Sequence, residues 1–142
     1  MSPLVLLVED SDADVELMRA AFADALPQAE LRVAWNGEEA LASLLDGDRP
    51  PLPDLVLLDL NLPRVGGLEV LQALRGASEP QVRRLPVVVL STSNAPADVD
   101  RAYELGANAY VSKPFEVDEL LRVGRSLAEF WFRSAVLPRG GQ

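Results

Sequence analysis

The chain has 142 residues, of which 49% are hydrophobic, and its 22 acidic against 13 basic residues give a net charge of −9. This length suits one hydrophobic core, and the negative charge disfavours nucleic acid and anionic membranes, so we expect protein partners. The absence of cysteine and histidine excludes disulfides, thiolate metal sites, the usual zinc ligand and a phosphohistidine on this chain.

The apolar segments are too short to span a membrane, and the start of the sequence lacks the basic and apolar regions of a signal peptide. We therefore expect a cytoplasmic protein with no membrane partner.

Five strand patterns alternate with five helical patterns along the chain. Three strand patterns are unbroken apolar runs, as in the buried strands of a parallel sheet, and the second alternates like an edge strand. The predicted strands are residues 4–8, 31–35, 55–58, 87–90 and 108–111. Apolar residues recur at helical spacing in residues 15–25, 40–45, 68–74, 97–105 and 117–131.

This alternation requires right-handed crossovers and predicts an α/β fold with a doubly wound parallel sheet. Segments 46–53 and 76–86 are predicted loops, because they are rich in proline, glycine and charged residues. We expect one domain over residues 1–132 and a C-terminal tail over 133–142.

Polar side chains stand at the carboxyl ends of the predicted strands, where doubly wound sheets bind ligands. They are Glu9 and Asp10 after the first strand, Asp59 after the third, Ser91 after the fourth and Lys113 after the fifth. Three carboxylates, a hydroxyl and an amine can hold a divalent cation and a phosphoryl group together.

Asp59 is the candidate nucleophile, because a carboxylate beside Mg²⁺ can attack phosphorus. Glu9 and Asp10 would hold the cation directly or through its water, and the bend after Asp59 would let the carbonyl near Asn61 face it.

Ser91 would donate a hydrogen bond to a phosphoryl oxygen, and Lys113 would pair with that group or with Asp59. A cis bond before Pro114 would fix the direction of the lysine side chain. Each feature also has a purely structural interpretation: helix capping for Asp10, Ser11, Asp12 and Ser91, a surface position for Lys113, and a core position for Tyr110.

Taken together, these residues resemble the receiver domain of two-component response regulators. The pattern comprises Glu9-Asp10, Asp59, Ser91 and Lys113-Pro114-Phe115, and the similarity runs over residues 4–131. It implies a flavodoxin-like sheet with strand order 2-1-3-4-5, and phosphoryl transfer from a sensor histidine kinase to Asp59 in a signalling protein that is not an enzyme.

The resemblance also implies roles for the other site residues. Mg²⁺ would be held by Asp10, Asp59 and the Asn61 carbonyl, with Glu9 acting through water. Ser91 and Lys113 would bind the phosphoryl oxygens, and Tyr110 would turn inward as a switch. The sequence departs from the family pattern at Glu9, where aspartate is usual, and Ser91 replaces the more frequent threonine.

Segments 8–16, 59–63 and 103–108 and the pair Phe130-Trp131 resemble the stand-alone receivers that serve phytochrome-type histidine kinases. This narrower resemblance implies a role in light signalling with a bacteriophytochrome as the kinase. Two alternatives stay open: a receiver-like interaction module that is poorly phosphorylated, and a small aspartyl-phosphate hydrolase. The hydrolase is disfavoured because Asn61 stands where its second carboxylate is expected.

Three consecutive aromatic residues near the C-terminus predict a homodimer. A stripe on the last helix is predicted to cover the sheet, and it consists of Val117, Leu121, Gly124, Ala128 and Trp131. Val123, Phe130 and Phe132 then remain as the predicted interface. In the alternative, Phe132 and Val136 fold back on the same subunit as a clasp.

Overall fold

The computed structural model describes residues 2–46 and 50–138. The strands are β1 (Leu4–Val8), β2 (Glu30–Ala34), β3 (Leu55–Leu58), β4 (Val87–Ser91) and β5 (Ala109–Ser112). The helices are α1 (Asp12–Ala25), α2 (Gly37–Leu45), α3 (Gly67–Arg75), α4 (Pro80–Arg83), α5 (Pro96–Glu104) and α6 (Val117–Glu129), followed by a π-helical turn (Phe130–Ser134). None of these helices combines the length and apolar character that a membrane span requires.

The five strands form one parallel sheet in the order β2-β1-β3-β4-β5, which confirms the predicted topology. The central strands β3 and β4 are buried throughout, whereas the edge strands β2 and β5 are partly exposed. Alternate strand residues face two apolar layers, one shared with α2, α3, α4 and α5 and the other with α1 and α6. The sheet therefore holds its strand ends between two packed layers.

Helix α4 lies inside segment 76–86, so the prediction of a loop there was wrong. Pro80 occupies its first turn and Val82 is fully buried. One helical turn carries too few apolar positions to show a periodic pattern, and proline is favoured at the start of a helix.

The predicted stripe on the last helix was only partly correct. Val117 is 55% exposed. The buried residues of α6 are Leu120, Gly124, Leu127 and Ala128. This face turns toward α1, where a Cβ on Gly124 would lie 2.6 Å from the Ala21 Cβ. Packing against α1, rather than coverage of the sheet alone, sets the rotation of α6.

The C-terminal aromatic residues divide between core and solvent. Trp131 and Phe132 pack against the layer formed by α1 and α6, as does Val123, whereas Phe130 and Val136 are exposed. Of the predicted C-terminal clasp, Phe132 packs against its own subunit, but Val136 does not. The π-helical turn crosses the predicted domain boundary at residue 132. Two predicted segments lie partly outside the described residues: the tail at residues 139–142 and the first loop at residues 47–49.

Candidate functional site

Backbone hydrogen bonds place the strand-end residues side by side. The Glu9 N–H donates to the Ala34 carbonyl at 3.0 Å, and the Asp59 N–H donates to the Val8 carbonyl at 3.1 Å. At the other side of the site, the Lys113 N–H donates to the Ser91 carbonyl at 2.7 Å. These residues therefore stay in register with neighbouring strands, and their side chains meet beyond the edge of the sheet.

Three carboxylates form the predicted cation site. Glu9, Asp10 and Asp59 each offer an oxygen within 4.8 Å of the others. Glu9 and Asp59 are buried while Asp10 is exposed, so one side of the group is open to solvent. Carboxylate oxygens are the ligands Mg²⁺ prefers, and its retained waters suit the exposed side, so the residues fit this ion.

The bend after β3 wraps around the candidate nucleophile. The Asn61 N–H donates to Asp59 Oδ1 at 3.1 Å, and the Asn61 side chain is exposed. A Cβ on Gly67 would lie 2.4 Å from the Asp59 carbonyl oxygen. A larger residue at the start of α3 would therefore displace the backbone that carries Asp59. The predicted role of the Asn61 carbonyl as a metal ligand stays a prediction.

Lys113 is buried and surrounded by carboxylates. Its Nζ donates to Glu9 Oε1 at 2.6 Å, to Asp14 Oδ2 at 2.9 Å and to Asp59 Oδ2 at 3.4 Å. Burial by itself would lower the pKa of Lys113. The hydrogen bonds to Glu9 and Asp14 and the charge of Asp59 outweigh it and raise this pKa above its ordinary value.

The peptide bond before Pro114 is trans, because the described residues contain no cis bond, so the suggested cis bond is wrong. The carboxylates of Glu9, Asp14 and Asp59 orient the lysine side chain instead.

Opposing effects act on the pKa of Glu9. Burial raises its pKa, the hydrogen bond from Lys113 opposes this effect, and the charge of Asp59 adds to it, so that the Glu9 carboxyl has a pKa of about 7. A cation among these carboxylates would favour the ionised form.

The Ser91 hydroxyl is fully buried and accepts a hydrogen bond from the Ser93 N–H at 3.1 Å. Its own O–H stays available as a donor to a bound oxygen. Ser91 does not cap α5, since that helix begins after Ala95, without a side-chain cap. Ser11 does cap α1, by accepting from the Asp14 N–H at 3.3 Å. The capping interpretation is thus correct for Ser11 and wrong for Ser91.

Tyr110 joins β5 to the loop that follows Ser91. Its half-buried ring packs against the core, and its hydroxyl donates to the Ser93 carbonyl at 2.8 Å. The Tyr110 N–H, on the outer side of the edge strand, donates to the Tyr103 hydroxyl at 3.0 Å. A displacement of this loop would therefore reach both β5 and α5.

Asp14 was not among the predicted site residues; it was included only in segment 8–16. Its side chain is 26% exposed and faces Lys113. The sequence carries no signal for this contact, because an acidic residue in the first turn of a helix is usually a solvated helix terminus.

Comparison with known proteins gives one consistent family. The family model for the response regulator receiver domain matches residues 5–124. The response regulator Rcp1 of Synechocystis sp. is 37% identical over 138 residues, covering 95% of this chain and 92% of that protein.

Two solved structures are similar throughout. The phosphorylated cyanobacterial phytochrome response regulator RcpA has a TM-score of 0.91 and 38% identity, covering 98% of this chain and 100% of that one. The Mn²⁺-bound form of Rcp1 has a TM-score of 0.88 and 37% identity, covering 96% of this chain and 99% of that one.

Proposed function

The chain belongs to the response regulator receiver family, and we propose that it accepts a phosphoryl group from a sensor histidine kinase on Asp59 in a Mg²⁺-dependent reaction. The observation that carries this proposal is a buried Asp59 that belongs to the cation site and whose Oδ2 lies 3.4 Å from Lys113 Nζ. Asp59 Oδ2 would form the new O–P bond as the P–N bond of the phosphohistidine breaks, and the histidine nitrogen keeps the electron pair.

The residues around Asp59 divide the remaining tasks. Glu9, Asp10, Asp59 and the Asn61 carbonyl would hold Mg²⁺, which when bound offsets the repulsion between the carboxylate and the anionic phosphoryl group. Ser91 and Lys113 would donate to the phosphoryl oxygens. Lys113 lies 3.4 Å from Asp59, and Ser91 ends the neighbouring strand β4.

Tyr110 is the proposed switch. Its hydroxyl contacts the Ser93 carbonyl, two residues beyond Ser91. A movement of Ser91 toward the phosphoryl group would change that contact and turn the ring further inward.

The proposed kinase is of the phytochrome type. The support comes from RcpA, whose structure is described as a phytochrome response regulator. The net charge of −9 further supports a protein partner rather than nucleic acid or an anionic membrane surface. A partnership with a sensor histidine kinase would place the protein in the cytoplasm. We keep residues 1–132 as the proposed receiver domain and 133–142 as its tail.

Incubation with acetyl phosphate and Mg²⁺, followed by intact mass measurement, tests the acceptor. The wild type should gain one phosphoryl group, Asp59→Asn none, and the exposed-site control Asp100→Asn one. Acceptance by Asp59→Asn would show that another residue is the nucleophile. No gain in any variant would favour the poorly phosphorylated interaction module.

We further propose a homodimer formed through Val123, Phe130 and Phe132. Phe130 is 55% exposed at the end of α6, and a large exposed aromatic side chain is a suitable interface anchor. Phe132 contributes less, because it also packs against its own core.

Sedimentation at micromolar concentration tests the dimer. Wild type and the control Phe115→Ser, whose side chain is 91% exposed near the opposite end of α6, should be dimers, and Phe130→Ser a monomer. A monomeric wild type would disprove the interface.

A further inference from the structure

All the hydrogen-bonding capacity of the Lys113 amine is in use. An ammonium group has three donors, and Glu9, Asp14 and Asp59 each accept one from Lys113 Nζ. A phosphoryl group on Asp59 can therefore bind this amine only if one of these contacts lengthens or breaks.

Asp14 differs from the other two acceptors by its position. Glu9 and Asp59 belong to the group of carboxylates that fits a cation, whereas Asp14 stands outside it, in the first turn of α1. A Mg²⁺ ion held by this group would compete with the amine for the charge of Glu9 and Asp59. Asp14, which stands outside the group, would then keep its full charge for Lys113.

The distances point the same way. Lys113 Nζ is 2.6 Å from Glu9 Oε1 and 2.9 Å from Asp14 Oδ2, but 3.4 Å from Asp59 Oδ2. The amine thus lies against Glu9 and Asp14 rather than against the nucleophile.

We propose that Asp14 is a positioning residue for the phosphoryl-transfer site: it holds the Lys113 amine back from Asp59 and competes with the phosphoryl group for it. This inference rests on the proposed function of Asp59. The negative charge of Asp14 also helps to attract Mg²⁺, but it repels an anionic phosphoryl group. Removing it should therefore have opposite effects on the two ligands.

The test compares Asp14→Asn with Asp12→Asn in the full chain. Asp12 lies in the same first turn of α1 and is exposed, so its replacement removes the same charge without touching Lys113. Calorimetric titrations measure the affinity for Mg²⁺ alone, and then for beryllium trifluoride, a mimic of the aspartyl phosphate, at saturating Mg²⁺.

We expect Asp14→Asn to bind beryllium trifluoride roughly three- to tenfold more tightly and Mg²⁺ roughly two- to fivefold more weakly than the wild type. Asp12→Asn should stay within about twofold of the wild type for both ligands. A loosened fold would weaken both affinities, so opposite changes separate positioning from damage.

Two outcomes overturn the inference alone: Asp14→Asn matches Asp12→Asn, or it binds both ligands more weakly, while the wild type binds beryllium trifluoride. A wild type that does not bind beryllium trifluoride at saturating Mg²⁺ overturns the proposed function of Asp59 as well.

Discussion

At Glu9, burial raises the carboxyl pKa to about 7 from its ordinary value of 4.5, although the Lys113 amine lies 2.6 Å away. A carboxyl whose pKa is higher in the folded than in the unfolded protein stabilises the fold at low pH. This contribution is complete below the unfolded pKa and is lost as the pH rises through the folded value. The raised pKa of Lys113 adds no slope here, because it lies far above this window.

We therefore predict that the metal-free protein becomes less stable between pH 5 and pH 8, with Glu9 contributing at most about 3 kcal/mol. Urea unfolding in the presence of a chelator at several pH values measures this slope. Glu9→Gln, which cannot ionise, should show a flatter dependence. Equal slopes in both proteins would mean that Glu9 titrates alike in the folded and unfolded chains.

At the scale of elements, the close contact of α1 and α6 depends on Gly124. An added Cβ would lie 2.6 Å from the Ala21 Cβ and 3.2 Å from the Met18 sulfur. We predict that Gly124→Ala lowers the free energy of unfolding by about 1–3 kcal/mol, because the overpacking outweighs the gain in helix propensity.

Thermal or urea unfolding measures this change. Ser126→Ala, at an exposed position of the same helix, is the matched control and should be neutral or slightly stabilising. A Gly124→Ala variant as stable as the control would show that α6 can shift away from α1 at little cost.

Arg75, the last residue of α3, binds the segment at the end of α4 and the turn before β5. It donates to the carbonyls of Gly106, Arg83 and Leu85, and to Asn108 Oδ1 at 3.0 Å. Burial lowers its pKa, yet the guanidinium stays charged because its ordinary pKa is so high.

We predict that Arg75→Met lowers the free energy of unfolding by about 2 kcal/mol, because several carbonyls lose a charged donor together. Arg101→Met, which removes an exposed arginine of α5, should change stability by less than about 0.5 kcal/mol. Chemical denaturation of both variants measures the difference, and similar losses would indicate that solvent replaces Arg75 readily.

The agreement between sequence and structure varies with the kind of element. Buried strands such as β1 and β3 are continuous apolar runs, so their predicted bounds match the structure. Helix α4 was missed because one turn shows no period, and the face of α6 was misjudged because contact with α1 is invisible in a linear pattern.

The residues at the strand ends could be predicted to lie close together because the sheet topology alone brings them together. Asp14 could not be predicted to join them, because a first-turn acid is usually a solvated helix terminus.

Over the whole molecule, the site concentrates part of a net charge of −9. Three carboxylates share one small region, and their mutual repulsion opposes folding when no cation is bound. We predict that millimolar Mg²⁺ raises the melting temperature by roughly 2–8 °C.

Asp10→Asn should have a higher melting temperature than the wild type in chelator and a smaller increase with Mg²⁺. Differential scanning calorimetry with and without the ion measures both effects, and Asp100→Asn serves as the control for loss of one exposed charge. A melting temperature of the wild type that ignores saturating Mg²⁺ would contradict a shared acidic site.

Lys113 directly follows β5, a strand at the margin of the sheet, whereas its acceptors Glu9 and Asp59 follow strands at the centre. The Lys113 side chain therefore links the edge of the sheet to its central strands. The strength of these hydrogen bonds depends on which ligands are bound at the strand ends. The Lys113 amide hydrogen, bonded to the Ser91 carbonyl at 2.7 Å, can exchange with deuterium only when that margin opens locally. The exchange rate of this amide hydrogen thus depends on how strongly Glu9 and Asp59 bind the Lys113 amine.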